Sequence, residues 1–234
     1  MTKSKILIGL VVLLSTLFIV FQYNNNVVLS TMVRALIVPM ISLLYFLNVK
    51  KRSIFFTIFL VLFSISEVTV LFSSYFPYQS EYFVGNSLYI LAYIFLIYEI
   101  LRDLDFAYLF KNFTIHLLVL STLNIYVIYV LLKIEDPFVI GFEFVIEFVY
   151  NIVTLFLLSI SLLNYFCKDN RKSLLLFLGS ICIVFSEVIQ IAYYYIAQKN
   201  LLNFSYSVLL ILAFCFYYYQ STITESEDIK TIVN

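Results

Sequence analysis

The stretch RSIFFTIFLVLFSISEV, residues 52–68, decides the fold and raises the question of function. It is a long apolar run that begins at a basic cluster and ends with a serine followed by a glutamate, Glu67. The stretch KSLLLFLGSICIVFSEV, residues 172–188, has the same design and ends at Glu187. A carboxylate is costly inside an apolar segment, so its occurrence twice in the same pattern needs a physical reason.

The composition is typical of an integral membrane protein. Of the 234 residues, 63% are hydrophobic and 12% are charged, and the mean hydropathy is +1.03. Soluble domains average roughly 45–50% apolar and about 25% charged residues. The formal net charge is zero, which does not indicate a nucleic-acid partner. The three cysteines lack CxxC spacing and partner histidines, and there is no Gly-rich phosphate loop, so we expect no metal and no cofactor.

Eight apolar segments are long enough to cross a bilayer, which takes about 20 residues each. Because lipid cannot satisfy open backbone groups, we expect an all-α fold of eight transmembrane helices. These helices are predicted to form one domain, residues 1–220, followed by a polar cytoplasmic tail at 221–234. The predicted spans are 5–22, 27–48, 54–73, 83–101, 113–132, 138–165, 173–195 and 204–220.

Basic residues are concentrated in the connections on one side of the predicted bundle. They are Lys3, Lys5, Lys50, Lys51, Arg52, Arg102, Lys111, Lys168, Arg171 and Lys172. The opposite side holds only Lys133 and Lys199. The positive-inside rule therefore places both termini in the cytoplasm. We expect a multi-pass protein of the inner (cytoplasmic) membrane, and the sequence indicates no particular oligomeric state.

The two Ser-Glu segments predict an internal repeat. In each, a serine after the basic cluster precedes the glutamate by 14 residues, from Ser53 to Glu67 and from Ser173 to Glu187. The offset between the glutamates is 120 residues (187 − 67), about half of the chain. Fourteen residues rise about 21 Å, so both glutamates are predicted at one depth, in the outer half of a core about 30 Å thick. We expect two parallel four-helix halves, about 1–112 and 113–220.

Further polar side chains are predicted at the same depth. Arg34 lies about two turns into the second span from the outer side. Asn86, Tyr89 and Tyr93 lie in the first turns of the fourth span, at spacings that keep them on one helix face. We therefore expect these side chains to share a site with the two glutamates.

The sixth span adds a polar stripe, because Glu143, Glu147 and Asn151 are spaced i, i+4, i+8, with Tyr150 beside them. An ionisable residue within a span costs at least ~2.5–3.5 kcal/mol, so it is expected to face the bundle interior and to mark function. A structural role is the alternative, in which a glutamate pairs with Arg34 or reaches water at the boundary. One arginine cannot neutralise four carboxylates, which indicates that some are protonated or line a wet cavity.

Other polar and aromatic residues are interpreted as structural. His116 is expected to cap or pack, and Glu99 with Arg102 is expected to form a pair at the inner boundary. The tyrosine runs at 193–195 and 217–219 are expected to anchor helices at the interface.

At the positions singled out above, the chain resembles the YhhN or lysoplasmalogenase family of eight-span membrane proteins, over about Thr31 to Gln220. The residues that carry the resemblance are Arg34-Ala35-Leu36 in the second span, Ser66-Glu67 in the third, Gly85, Tyr89, Ala92 and Tyr93 in the fourth, Tyr150 in the sixth, Phe185-Ser186-Glu187 in the seventh and Tyr206 in the eighth.

The chain departs from the family pattern at several of these positions. Glu67 and Glu187 stand where the family has aspartates, and Tyr93 stands where it has a histidine. Leu210 occupies the place of a family glutamine. The carboxylate chemistry is retained in kind, whereas the loss of the histidine removes a proton carrier that works at neutral pH.

The resemblance implies hydrolysis of the vinyl ether bond of a lysoplasmalogen-like membrane lipid. Such a bond is cleaved by protonating its carbon, which leaves an oxocarbenium ion for water to trap. This requires one carboxylic acid and one carboxylate, for which Glu67 and Glu187 are the candidate catalytic pair. Arg34 is expected to hold the lipid phosphate. The predicted substrate-binding residues are Arg34, Asn86, Tyr89, Tyr93, Glu143, Glu147 and Tyr150.

Two other functions fit the same pattern. Parallel repeats with carboxylates inside the membrane also suit a proton-coupled lipid or small-molecule transporter. A non-catalytic scaffold or sensor of the same fold would account for the missing histidine and glutamine. The chain contains no GxSxG or other nucleophile arrangement that would favour a serine or cysteine lipase.

Overall fold

The structure is a computed structural model that describes residues 2–135 and 141–223. Within these ranges the chain folds into nine α-helices and contains no strand. The helices are α1 (Thr2–Tyr23), α2 (Val27–Asn48), α3 (Ile54–Thr69), α4 (Tyr78–Arg102), α5 (Phe106–Asn112), α6 (Thr114–Glu135), α7 (Phe142–Lys168), α8 (Arg171–Ile191) and α9 (Asn200–Thr222). Most of the predicted tail, residues 224–234, lies outside the described residues.

Eight of these helices, all except α5, are long and apolar enough to cross a membrane. The all-α, eight-span prediction is therefore confirmed, and the chain is a multi-pass membrane protein by architecture. The division into two repeated halves and the cytoplasmic location of the termini stay predictions.

The helix ends differ from the predicted spans where local capping overrides hydropathy. Helix α4 begins at Tyr78 rather than at residue 83, because Pro77 fixes an extended backbone before it. As a result, Asn86 lies two turns inside α4 rather than in its first turn. The predicted polar connection after α4 contains the short helix α5, whose first turn is capped by Asp105 through a 3.1 Å hydrogen bond from the Tyr108 amide.

The helices that carry the two Ser-Glu pairs both change geometry shortly after the glutamate. Helix α3 tightens into a 3₁₀ helix at Val70–Tyr75, whereas α8 widens into a π-helix at Ala192–Ile196. Short stretches of either geometry inside long helices often occur at functional sites.

An aromatic cluster joins these helices in the middle of the bundle. Phe59 of α3 stacks on Phe214 of α9 and meets the ring of Tyr217 edge-on at 5.4 Å. Gly179 of α8 makes room for the same tyrosine, since a Cβ there would lie 2.6 Å from its ring. Tyr217 is fully buried and bonds the Ser180 hydroxyl at 3.2 Å, so its prediction as an interface anchor was wrong.

The residues predicted to pair or pack, Glu99, Arg102 and His116, lie at the end of α4 and the start of α6. Arg102 lies 3.8 Å from Glu99, which confirms the predicted pair. The His116 ring packs between Phe113 and Phe166 at 5.5 Å from each, as its packing role predicts.

The outer helices expose most of their apolar side chains. Only 6% of the apolar stretch is buried in α1 and in α6, whereas 44% is buried in α7 and in α8. The exposed apolar faces of α1 and α6 suit contact with lipid chains.

Candidate functional site

A cavity of about 480 Å³ lies beside the ends of α3 and α8 that carry the glutamates. It brings together most of the residues predicted from sequence to form a site. Those that line it are Arg34, Glu67, Asn86, Tyr89, Glu147, Tyr150 and Glu187.

Two predicted site residues do not line this cavity. Tyr93 is fully buried and contacts residues that line the cavity, since its hydroxyl binds Glu187 and its ring packs against Tyr150. Glu143 lies one turn nearer the start of α7 than Glu147 and is partly exposed. Spacing along a helix predicted the correct face for both, but the depth of each side chain is set by how neighbouring helices pack.

A second cavity, of about 280 Å³, lies where α3 and α8 begin, and Ser53 and Ser173 are among its lining residues. Both helices therefore begin at one cavity and reach the other at Glu67 and Glu187, so they run in the same direction. A repeat of two parallel halves requires this shared direction, and the duplication itself stays a prediction.

Glu67 is held by a cation and a hydroxyl. Its Oε1 accepts a 2.9 Å hydrogen bond from the Tyr89 hydroxyl. Its Oε2 lies 3.5 Å from Nη1 of Arg34 and accepts no hydrogen bond within the described part of the chain. Glu67 is only 1% exposed, so this second oxygen is an unmet acceptor in the cavity wall.

Arg34 belongs to both Glu67 and the cavity. Its guanidinium group also lies over the ring of Tyr206, 5.8 Å from the ring centroid. A buried ion pair of this kind places a fixed positive charge at the cavity wall. The geometry confirms the pairing of Arg34 with Glu67, and the binding role of Arg34 stays a prediction.

Glu187 has different neighbours. It accepts a 3.0 Å hydrogen bond from the Tyr93 hydroxyl, and the Tyr150 side chain lies close to the same carboxyl group. The rings of the two tyrosines meet edge-on at 5.9 Å. Within residues 2–135 and 141–223, no basic side chain lies within ion-pair distance of Glu187. Glu187 is partly exposed and is thus the more accessible of the two glutamates.

Helix α4 sets the relation between the two glutamates. Tyr89 binds Glu67 and Tyr93 binds Glu187, and the two tyrosines lie four residues apart on the same face of α4. Four residues correspond to a rise of about 6 Å, roughly one helical turn. The two carboxyl groups are therefore hydrogen-bonded to tyrosines on neighbouring turns of one helix.

The serines before the glutamates fix α3 and α8 to the helices that follow them. Ser66 donates a 3.0 Å hydrogen bond to the carbonyl of Gly85 on α4. Ser186 donates a 2.7 Å hydrogen bond to the carbonyl of Tyr206 on α9. Each Ser-Glu pair thus combines a backbone anchor with a side chain that faces the cavity.

The wall of the cavity contains further polar residues that sequence reasoning did not place in the site. Tyr82 donates a hydrogen bond to Glu147. Gln190, three residues after Glu187, is signalled by helical spacing alone. The others are Tyr78, Glu81, Tyr194 and Tyr195.

A second buried carboxylate besides that of Glu67, the side chain of Glu135, was not predicted. It is the last residue of α6 and is fully buried, and both of its oxygens accept hydrogen bonds of 3.1 Å from the Asn151 side chain. Its position in the polar sequence KIEDP favoured a connection rather than the bundle interior. The polar stripe on α7 was a usable signal, because Asn151 needed a partner in the interior.

Comparisons with known proteins supply no family: no family model, no curated protein and no solved structure matches the chain.

Proposed function

We propose that the chain is a membrane lipid hydrolase that cleaves a vinyl ether bond in the cavity between α3, α4 and α8. The observation that carries this proposal is that Tyr89 and Tyr93, one turn apart on α4, hold Glu67 and Glu187 at one cavity. Two carboxyl groups in different surroundings are what acid–base cleavage of such a bond requires. The resemblance to the lysoplasmalogenase family suggests the class of substrate.

The contacts of the two glutamates favour different roles. The guanidinium group of Arg34 lies 3.5 Å from Oε2 of Glu67 and gives this carboxyl group a counter-charge. Glu187 has hydroxyl neighbours and no ion-pair partner in the described residues, so it is the candidate proton donor. We therefore assign Glu187 as the acid and Glu67 as the carboxylate that activates water.

The proposed reaction has three steps: protonation of the vinyl ether, addition of water and collapse of the hemiacetal. Glu187 gives its proton to the vinyl carbon, which leaves an oxocarbenium ion. Water adds to that ion and gives a proton to Glu67. The adduct is a hemiacetal. The hemiacetal collapses when Glu67 protonates the departing oxygen and the hemiacetal hydroxyl returns a proton to Glu187. The products are an aldehyde and a glycerophospho-base, and one water is consumed.

The cavity also offers contacts for the rest of the lipid. The positive charge of Arg34 suits a phosphate group. The lining tyrosines have an apolar ring and a polar hydroxyl, which suits the boundary between a head group and a chain. The volume of about 480 Å³ falls in the range of small-molecule sites.

The test is an aldehyde-release assay on purified protein in liposomes, with lysoplasmalogen and an ordinary lysophospholipid side by side. We expect release from the vinyl ether alone, and a decrease of about 10²-fold or more in Glu187→Gln. Asp169→Asn is the matched control, because it makes the same chemical change at the far end of α7. Asn is well tolerated at Asp169, whose φ is +41°.

Two results would contradict the proposal. One is the absence of release from both lipids by a folded protein. The other is a rate in Glu187→Gln that equals the rate of Asp169→Asn. Circular dichroism of each variant separates a loss of chemistry from a loss of fold.

A carrier is the second candidate, since two cavities lie at opposite ends of the same pair of parallel helices. The aromatic cluster of Phe59, Phe214 and Tyr217 closes the bundle between them. A carrier predicts that lysophospholipid enters proteoliposomes when a pH gradient is imposed, and that Glu187→Gln abolishes this uptake. Aldehyde release without uptake would favour the hydrolase.

A further inference from the structure

The second cavity, where α3 and α8 begin, is a polar chamber with its own set of charges. It is bounded by the ends of α2, α4, α7 and α9. Three lysines line it: Lys51, Lys168 and Lys172. Two carboxylates, Glu99 and Asp103, line it as well.

Both carboxylates already have partners. Glu99 accepts a 2.5 Å hydrogen bond from the Ser53 hydroxyl and lies 3.8 Å from Arg102. Asp103 lies 3.4 Å from Arg102 and 3.9 Å from Lys168. The negative charge of the chamber is therefore balanced by Arg102 and Lys168.

Two lysines remain without a counter-charge. Among residues 2–135 and 141–223, no carboxylate lies within ion-pair distance of Lys51 or Lys172. The chamber thus has an excess of positive charge on two long side chains, Lys51 in the connection before α3 and Lys172 in the first turn of α8. An excess of this kind favours an anion.

A buried amide in the same wall has no partner. Asn164 is only 4% exposed and lines the cavity, and its Oδ1 accepts no hydrogen bond in the described part of the chain. Leaving such a group unpaired is unfavourable. The same side chain carries an NH₂ group, which is the part of an amide that can serve an anion. Asn164 therefore adds a potential hydrogen-bond donor to the wall that holds the two lysines.

We propose that this chamber binds a phosphate group, with Lys51 and Lys172 supplying charge and Asn164 supplying a hydrogen bond. The volume of about 280 Å³ holds a tetrahedral oxyanion together with the atoms attached to it. Lysine is a common phosphate ligand as a point charge. The group belongs either to the head of an anionic lipid or to a free phosphate compound. This site is separate from the cavity at Glu67 and does not rest on the proposed hydrolase activity.

The experiment uses the full chain with two probes. Inorganic phosphate is titrated into protein in neutral detergent and followed by the thermal midpoint. Phosphatidylglycerol is offered in phosphatidylcholine nanodiscs and followed by native mass spectrometry of retained lipid. The test variant is Lys51→Gln/Lys172→Gln. The matched control, Lys5→Gln/Lys50→Gln, removes the same charge at exposed lysines outside the chamber.

We expect wild type and the control variant to bind equally, and the test variant to lose at least about tenfold in affinity. The variant Lys51→Arg/Lys172→Arg, which keeps both charges, should retain binding. Retention of phosphatidylglycerol without a response to phosphate assigns the site to a lipid head group, and the reverse assigns it to a free compound. Failure of wild type to bind either probe, or an equal loss in the control variant, overturns the proposal. If the double variant does not fold, the exposed single change Lys51→Gln gives the same comparison.

Discussion

Helices α3 and α8 bring the same Ser-Glu pair to the same cavity, but they hold the two glutamates differently. Glu67 is 1% exposed and lies between Arg34 and Tyr89. Glu187 is partly exposed and has tyrosines as its neighbours. The serines, by contrast, do the same work in both helices, since each binds a carbonyl of the next long helix.

The comparison separates the features that the Ser-Glu segments of α3 and α8 share from the features that differ between them. The shared part is the anchoring of a helix by its serine. The individual part is the charge environment of the carboxyl group, because Arg34 of α2, which lines the cavity, pairs with Glu67 and not with Glu187. A pair of like residues with unlike neighbours is a common arrangement in acid–base sites. Substitutions made in matched pairs on the two helices test this division.

The largest effect is expected from the pair Glu67→Gln and Glu187→Gln. Removing Glu67 leaves Arg34 buried without its counter-charge, which should lower the free energy of unfolding by about 3–5 kcal/mol. Glu187 has no ion-pair partner in the described residues, so its replacement should change that free energy by about 1 kcal/mol or less. Unfolding in mixed micelles with increasing SDS, followed by circular dichroism, measures both.

The variant Arg34→Met/Glu67→Gln provides the control for this pair. Because it removes both charges, it should recover much of the stability lost in Glu67→Gln. Equal destabilisation by the two single glutamate variants would mean that the glutamates are held alike, and the assignment of different roles would fail.

The next effect is expected from a pair of glycines. Gly179→Ala places a Cβ 2.6 Å from the buried ring of Tyr217, so α8 and α9 must move apart. Overpacking of this kind costs about 1–3 kcal/mol. Gly85→Ala on α4 meets only the Ser66 hydroxyl at 3.8 Å, an ordinary contact. It should be neutral, or should stabilise the helix by up to about 1 kcal/mol.

The same SDS titration distinguishes the two glycines. If Gly85→Ala destabilised the protein as much as Gly179→Ala, the close approach of α8 and α9 at Gly179 would not explain the loss of stability in Gly179→Ala. The variant Gly179→Ala/Tyr217→Leu, which removes the ring, should recover part of the loss.

Double-mutant cycles on α4 test how the tyrosines divide between the glutamates. Tyr89→Phe should couple to Glu67→Gln by about 1.5 kcal/mol, as expected for a hydrogen bond to a charged group. Tyr93→Phe should couple to Glu187→Gln by about 0.5–1 kcal/mol, as expected for a hydrogen bond to a neutral group. The crossed combinations should be closer to additive. Equal coupling in direct and crossed cycles would show that both tyrosines act on one shared carboxylate network.

The sequence alone predicted much of the fold. Hydropathy and length fixed eight spans because lipid leaves the backbone no alternative to helices. The helix rise predicted one depth for Glu67 and Glu187. The structure places both at one cavity, and their depth in the membrane stays a prediction. The eight spans were predictable because each depends on one segment at a time.

The remaining features depend on contacts between segments. The spacing of Tyr89 and Tyr93 predicted a shared face of α4 but not that each binds a different glutamate. That division depends on where α3 and α8 pack against α4. The burial of Tyr217 depends on Gly179, which lies 38 residues away in sequence (217 − 179). The interior position of Glu135 depends on Asn151 of the next helix. A pattern within one helix carries no information about such partners.

The smallest effect is expected from the serines, and here the two helices should agree. Ser66→Ala removes the hydrogen bond to the Gly85 carbonyl, and Ser186→Ala removes the one to Tyr206. Each carbonyl belongs to a helix and keeps its place in the backbone ladder, so each loss should be about 0.5–1.5 kcal/mol. Ser205→Ala is the control, because Ser205 is partly exposed and its hydroxyl donates to a carbonyl within α9, that of Leu201. A large loss at one serine and none at the other would mean that even the anchoring differs, leaving the two copies alike in sequence alone.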